Sequence, residues 1–94
     1  GRLLIDDGAT RALSQAGRSL LPAGIIGVEG EFGRGDTISI VDKSQHELAR
    51  GIVAYSSRTL RNIIGCHSDE IEERSGYTYG PTVVHRNHMT MLTE

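Results

Sequence analysis

Apolar residues fall along this chain in short bursts, separated by glycine or by small polar clusters. Leu3-Leu4-Ile5 predicts a first short strand. Ala9, Ala12, Leu13 and Ala16 then recur at helical spacing. They predict a helix over residues 7–16, with Asp6 or Asp7 as its cap and Gly17 as its left-handed stop. Leu20 and Leu21 read as the end of an extended segment, because Pro22 lacks a backbone donor and fixes φ. Gly24 is expected to take a positive φ and restart the chain as a strand, with Ile26 and Val28 on one face. Gly33-Arg34-Gly35-Asp36 predicts a tight turn, and residues 37–41 alternate with Ile38 and Ile40 inward.

Residues 42–46 are polar throughout and suit a hairpin tip. The returning strand, 47–55, carries Leu48, Ile52 and Ala54 on one face and Ala49, Val53 and Tyr55 on the other. That pattern implies cover on both sides and a place in the middle of the structure. Ser56 or Ser57 can cap a short helix bearing Leu60, Ile63 and Ile64, closed by Gly65. Ser68 is the expected cap of another, with Asp69, Glu70, Glu72 and Glu73 early and Gly76 at its end. Residues 77–81 read as a turn, 82–85 as a last strand, and 86–94 show no period. The order β-α-β-β-β-β-α-α-β predicts one domain over residues 1–94, mixed β with short α-helices, with a mainly antiparallel barrel at its centre.

Composition narrows the partners. Ten Lys and Arg against twelve Asp and Glu give a formal net charge of −2, which counts against a dedicated nucleic-acid binder. The cations are nine arginines and Lys43, however, and arginine serves phosphate and carboxylate equally well. No apolar run reaches the roughly 18 residues needed to cross a bilayer. A membrane partner is therefore not expected. Cys66 has no second cysteine to pair with, which makes a reducing, cytoplasmic setting the expected one.

Each candidate for chemistry has a plainer reading. Cys66-His67 and His85-x-x-His88 supply zinc-type ligands, but their spacing fits no finger pattern, so no metal ligand is assigned. Ser68 beside His67 reads as a helix cap rather than a nucleophile, and the acidic run 69–73 as a solvated helix start. No glycine-rich loop ends in Lys-Ser or Lys-Thr. Arg11, Arg18 and Arg34 are the candidates for an RNA-facing patch, and the competing expectation pairs the arginines with Glu29, Glu31 and Asp36 or with a neighbouring domain.

Leu20-Leu21, Gly24-Ile25, Val28-Glu29-Gly30 and Arg34-Gly35-Asp36 ahead of an alternating strand resemble the PUA domain. That family comprises small β-barrel modules best known from RNA-modifying enzymes. The ends of the chain, Arg2-Leu3-Leu4-Ile5-Asp6-Asp7-Gly8-Ala9, Gly76-Tyr77-Thr78-Tyr79-Gly80-Pro81 and Val83-Val84-His85-Arg86-Asn87, resemble the C-terminal PUA domain of the bacterial glutamate 5-kinases. The resemblance implies a PUA-like pseudo-barrel flanked by small helices. It also implies a parent enzyme that phosphorylates the side-chain carboxylate of L-glutamate with ATP and magnesium, toward proline, and is restrained by proline. That chemistry belongs to an N-terminal amino-acid-kinase domain, so no catalytic, cofactor or metal residue is carried over to residues 1–94. What remains implied is a regulatory or assembly role, with the kinase domain of the same chain and a homo-oligomer as partners and RNA as the alternative. Tyr77, Tyr79, His85 and Arg86 are the candidates for facing the kinase domain.

Overall fold

The computed structural model describes residues 1–92. Strands β1 (Arg2–Ile5), β2 (Ile25–Glu29), β3 (Thr37–Val41), β4 (Glu47–Val53) and β5 (Val84–Met91) form one sheet in the order β2-β1-β3-β4-β5. The β1–β3 pair is parallel and the other three are antiparallel, as a mainly antiparallel expectation requires. The ladder is open, with β2 and β5 at its edges. An isolated bridge from Leu20 to Val84 brings the chain just ahead of β2 onto β5, which makes the sheet a pseudo-barrel rather than a closed one. Residues 19–21 therefore contribute this bridge and no separate strand.

Helix α1 (Asp7–Ala16) has the expected bounds. Asp6 caps it by accepting from Ala9 N at 2.7 Å, and Gly17 ends it at φ 60°. Helix α2 (Ser57–Ile63) is capped by Ser56, whose Oγ accepts from Thr59 N at 3.2 Å. Helix α3 (Ile71–Ser75) follows a single 3-10 turn, Ser68–Glu70. Ser68 does not cap it: its hydroxyl donates to Pro81 O at 3.1 Å, while Glu70 Oε1 accepts from His67 N at 3.0 Å. Leu3, Ile5, Ile38, Ile40 and Val53 from the sheet, with Tyr55 just past β4, meet Leu13, Leu60, Ile63 and Ile71 from the helices in one core. Burying each of these aliphatic side chains contributes on the order of 1.5–3 kcal/mol.

Three expectations fail for reasons of register. Ile5 pairs with Ile25 but Leu4 with Gly27, so Ile26 is an extra residue in a bulge and is 48% exposed. Ile25, not Ile26, shares the inner face with Val28. Gly24 is not left-handed; it lies in the 3-10 turn Pro22–Gly24, where a Cβ would come within 2.6 Å of Ala9 Cβ. Its requirement is close packing against α1. Strand β4 buries Ala49, Gly51 and Val53 but leaves Ile52 45% exposed, so only one of its faces is fully covered.

The last strand differs most from expectation. Residues 82 and 83 precede it, and β5 runs on to Met91. Its first paired residue, Val84, opposes Val53, and the next paired residue on β4, Gly51, opposes Met89. Residues 85–88 therefore form a wide bulge that stands off the ladder. A Cβ on Gly51 would lie 2.9 Å from His88 O and 2.6 Å from Val84 Cγ1, so glycine there is what lets the bulge fold back over β4. Residues 93–94 of the unpatterned tail lie outside the described residues.

Candidate functional site

Of the seven residues singled out in the sequence, Arg18, Arg34, His85 and Arg86 border the bulge, Tyr77 and Tyr79 lie in the loop that meets Arg34, and Arg11 stands apart. Arg11 projects from α1 and is exposed. Arg18 follows the α1 cap and faces β5 across a groove of about 320 Å³ that Ser19, Leu21, His85 and Arg86 also line. Ser19 Oγ anchors that groove by accepting from Arg86 N at 2.9 Å. An RNA candidate and two interdomain candidates thus share one groove, with an arginine from each side.

Arg34 meets the tyrosines instead. Gly35 takes φ 92° at the third position of the 33–36 turn, and Gly33 N donates to Asp36 Oδ2 at 2.8 Å. The turn lifts the Arg34 guanidinium over the Tyr79 ring, 3.6 Å from its centroid. Tyr79 packs edge-on against Tyr77 at 5.2 Å, and both approach the buried Tyr55. Tyr55 Oη holds the whole loop: it donates to Gly80 O and accepts from Tyr79 N, each at 2.7 Å. Tyr77 Oη is hydrogen-bonded to Thr59 Oγ1 on α2. The Tyr-x-Tyr-Gly-Pro segment is a pinned surface loop, with Tyr79 49% exposed.

The carboxylates are engaged elsewhere. Glu29 lies 3.8 Å from Arg2, Glu31 accepts from Arg61 at 3.0 Å, and Asp36 serves its own turn. Among the described residues, no carboxylate lies within 4.0 Å of Arg11, Arg18, Arg34, Arg58 or Arg86. The expected pairing with Glu29, Glu31 and Asp36 therefore holds for Arg61 with Glu31 but not for Arg11, Arg18 or Arg34: Glu29 faces Arg2, and Asp36 serves its own turn.

His85 and His88 do come together, with ring centroids 5.8 Å apart, but among the described residues no three His, Cys, Asp or Glu side chains are placed to share a metal ion. Cys66 is buried under α2, and that burial pushes its thiol pKa up. Ser19 and Ile52 were not read from the sequence as site residues, and His88 was weighed only as a zinc-type ligand. They join the site only through the bulge and the Leu20–Val84 bridge, which no local pattern signals. No helix among the described residues is long and apolar enough to cross a membrane.

The comparisons with known proteins agree with this architecture. A curated glutamate 5-kinase of Xylella fastidiosa (strain M12) is 51% identical over 96 residues, covering 98% of this chain but 25% of the relative. The chain thus spans about a quarter of the length of the curated relatives it matches. A crystal structure of a PUA domain from Aeropyrum pernix K1, in complex with tartrate, superposes with a TM-score of 0.69 at 28% identity. It covers 94% of this chain and 42% of its own. The archaeal box H/ACA sRNP Nop10-Cbf5 complex contains a chain that superposes at 0.63 and 21% identity, covering 98% of this chain and 23% of its own, a likeness of fold alone. The PUA domain family matches residues 1–74, and the chain belongs to it.

Proposed function

We propose that this chain is the regulatory and assembly PUA module of an enzyme resembling glutamate 5-kinase, docked against the amino-acid-kinase domain of the same polypeptide. The single observation that supports it is the 51% identity across nearly the whole chain, confined to a quarter of the relative's length. On this reading the absent part carries ATP, magnesium and glutamate, and residues 1–94 act through their surface. The pinned loop of Tyr77 and Tyr79 and the bulge of His85 and Arg86 supply the docking face, because rigid, partly exposed tyrosines and an unpaired arginine suit a desolvated contact. Deleting residues 1–94 from the full-length enzyme is expected to change its oligomeric state, magnesium demand or inhibition by proline. An enzyme unchanged in all three would overturn the reading.

A second reading has its own observation. Arg18 and Arg86 line one groove with His85 and Ser19 and, among the described residues, no carboxylate, and Arg34 lies beyond His85. That arrangement supports phosphate contact, and so RNA, through Arg18 and Arg34, while Arg11 stands apart on α1. Loss of RNA affinity in Arg18→Ala is the expected result; intact affinity would remove this reading.

A further inference from the structure

A second depression of about 310 Å³ lies on the other side of His85, between the 33–36 turn, β4 and the bulge. Its floor is apolar, formed by Ile52, Val53 and Ala54, and its rim carries Arg34, His85 and His88. Among the described residues no carboxylate lines it. Asp36, in the adjoining turn, accepts from Gly33 N and is not among the residues that line the depression.

The rim is built to donate. Arg34 is held by its stack on Tyr79, yet among the described residues it makes no ion pair, so its N–H groups remain for another partner. Asn87 N donates to His85 Nδ1 at 3.1 Å, which puts the imidazole proton on Nε2. His85 thus offers an N–H rather than a lone pair, which suits an anion and not a metal ion. An apolar floor rimmed by Arg34 and His85, with the Thr82 hydroxyl beside them and no carboxylate among the described residues, is complementary to an amphipathic anion, and the volume is that of a small-ligand site.

We propose that this groove binds a small oxyanion, carboxylate or phosphate, attached to an apolar body of a few carbons. The groove borders the face that the docking reading gives to the kinase domain, since His85 lines it and Tyr79 carries Arg34, so the proposal is tested on the 94-residue chain by itself. Butyrate, butyl phosphate and n-butanol are titrated at constant ionic strength while backbone amide resonances are followed by NMR. Saturable shifts at Gly35, Ile52 and His88 are expected with either anion and not with the alcohol, and the tighter anion identifies the headgroup. Arg34→Gln is expected to weaken binding about tenfold, the loss typical of one hydrogen bond to a charged group. Ile52→Glu, at an exposed position that should leave the spectrum dispersed, is expected to abolish binding by placing a carboxylate on the floor. Three results would each overturn the proposal: neither anion saturates, butanol gives the same shifts, or Arg34→Gln binds as tightly as the parent. Movement of these amides by RNA alone would overturn it too.

Discussion

At the scale of single residues, which cations are free is decided by how the carboxylates are used. Arg50 grips Glu47 with two N–H groups, at 2.9 and 3.0 Å, and Ser39 Oγ donates to the same carboxylate. The Arg50 hydrogen bonds, followed by that of Ser39, hold the Glu47 carboxyl down at about 2, from an ordinary 4.5. A carboxyl whose pKa is depressed by folding stabilises the folded state fully above its ordinary value, and that contribution fades as pH falls toward the depressed one. Arg50→Gln is therefore expected to raise the Glu47 midpoint from about 2 toward 4.5, read by carboxyl-carbon NMR across an acid titration. A midpoint that stays put would mean that Ser39 and the strand, not Arg50, set it. Arg50 and Arg61 are committed in this way, whereas Arg18, Arg34 and Arg86 line the grooves without an ion pair among the described residues.

At the scale of elements, what could be read from the chain tracks how local each signal is. Helix α1 was legible to the residue because its cap, its apolar spacing and its stop all lie within residues 6–17. β3 was legible because Ile38 and Ile40 alternate against a single core. β5 was not: it is an edge strand with exposed side chains from residue 85 to 88, and an edge strand is specified by the partner's ladder rather than by its own pattern. Nor could Arg34 be assigned to Tyr79, since their meeting depends on a turn and a loop 45 positions apart in the chain. What couples them is Tyr55, fully buried, with its hydroxyl joined to the backbone at both Tyr79 and Gly80. Tyr55→Phe removes that hydroxyl and leaves a buried donor and acceptor to find other partners. It is expected to cost about 1–3 kcal/mol in urea denaturation. The contacts between Arg34 and the Tyr79 ring should weaken with it in NOE spectra. Unchanged stability would show that the loop is held by Tyr77 and Thr59 instead.

At the scale of the whole molecule, the formal charge of −2 and the arginine-lined grooves point in opposite directions, and screening decides between them. At 0.1 M salt charges interact over roughly 10 Å, so a ligand on the bulge responds to the cations beside it more than to carboxylates across the domain. Arg18 and Arg86 line one groove, Arg34 lines the next, and His85 lines both. Three phosphates held by those arginines would release counterions with a slope of log affinity on log salt of about −2 to −3. Anisotropy titration of a structured RNA over a salt series measures that slope directly, and Arg18→Ala is expected to make it shallower by roughly one unit. Such a result would place RNA on the face that the docking reading gives to the kinase domain, and the two partners would then compete for it. A flat slope, or no binding at low salt, would leave the arginines to protein contacts. Loss of affinity in Arg18→Ala with the slope unchanged would assign Arg18 to packing rather than to phosphate, and would leave Arg34 and Arg86 as the electrostatic pair.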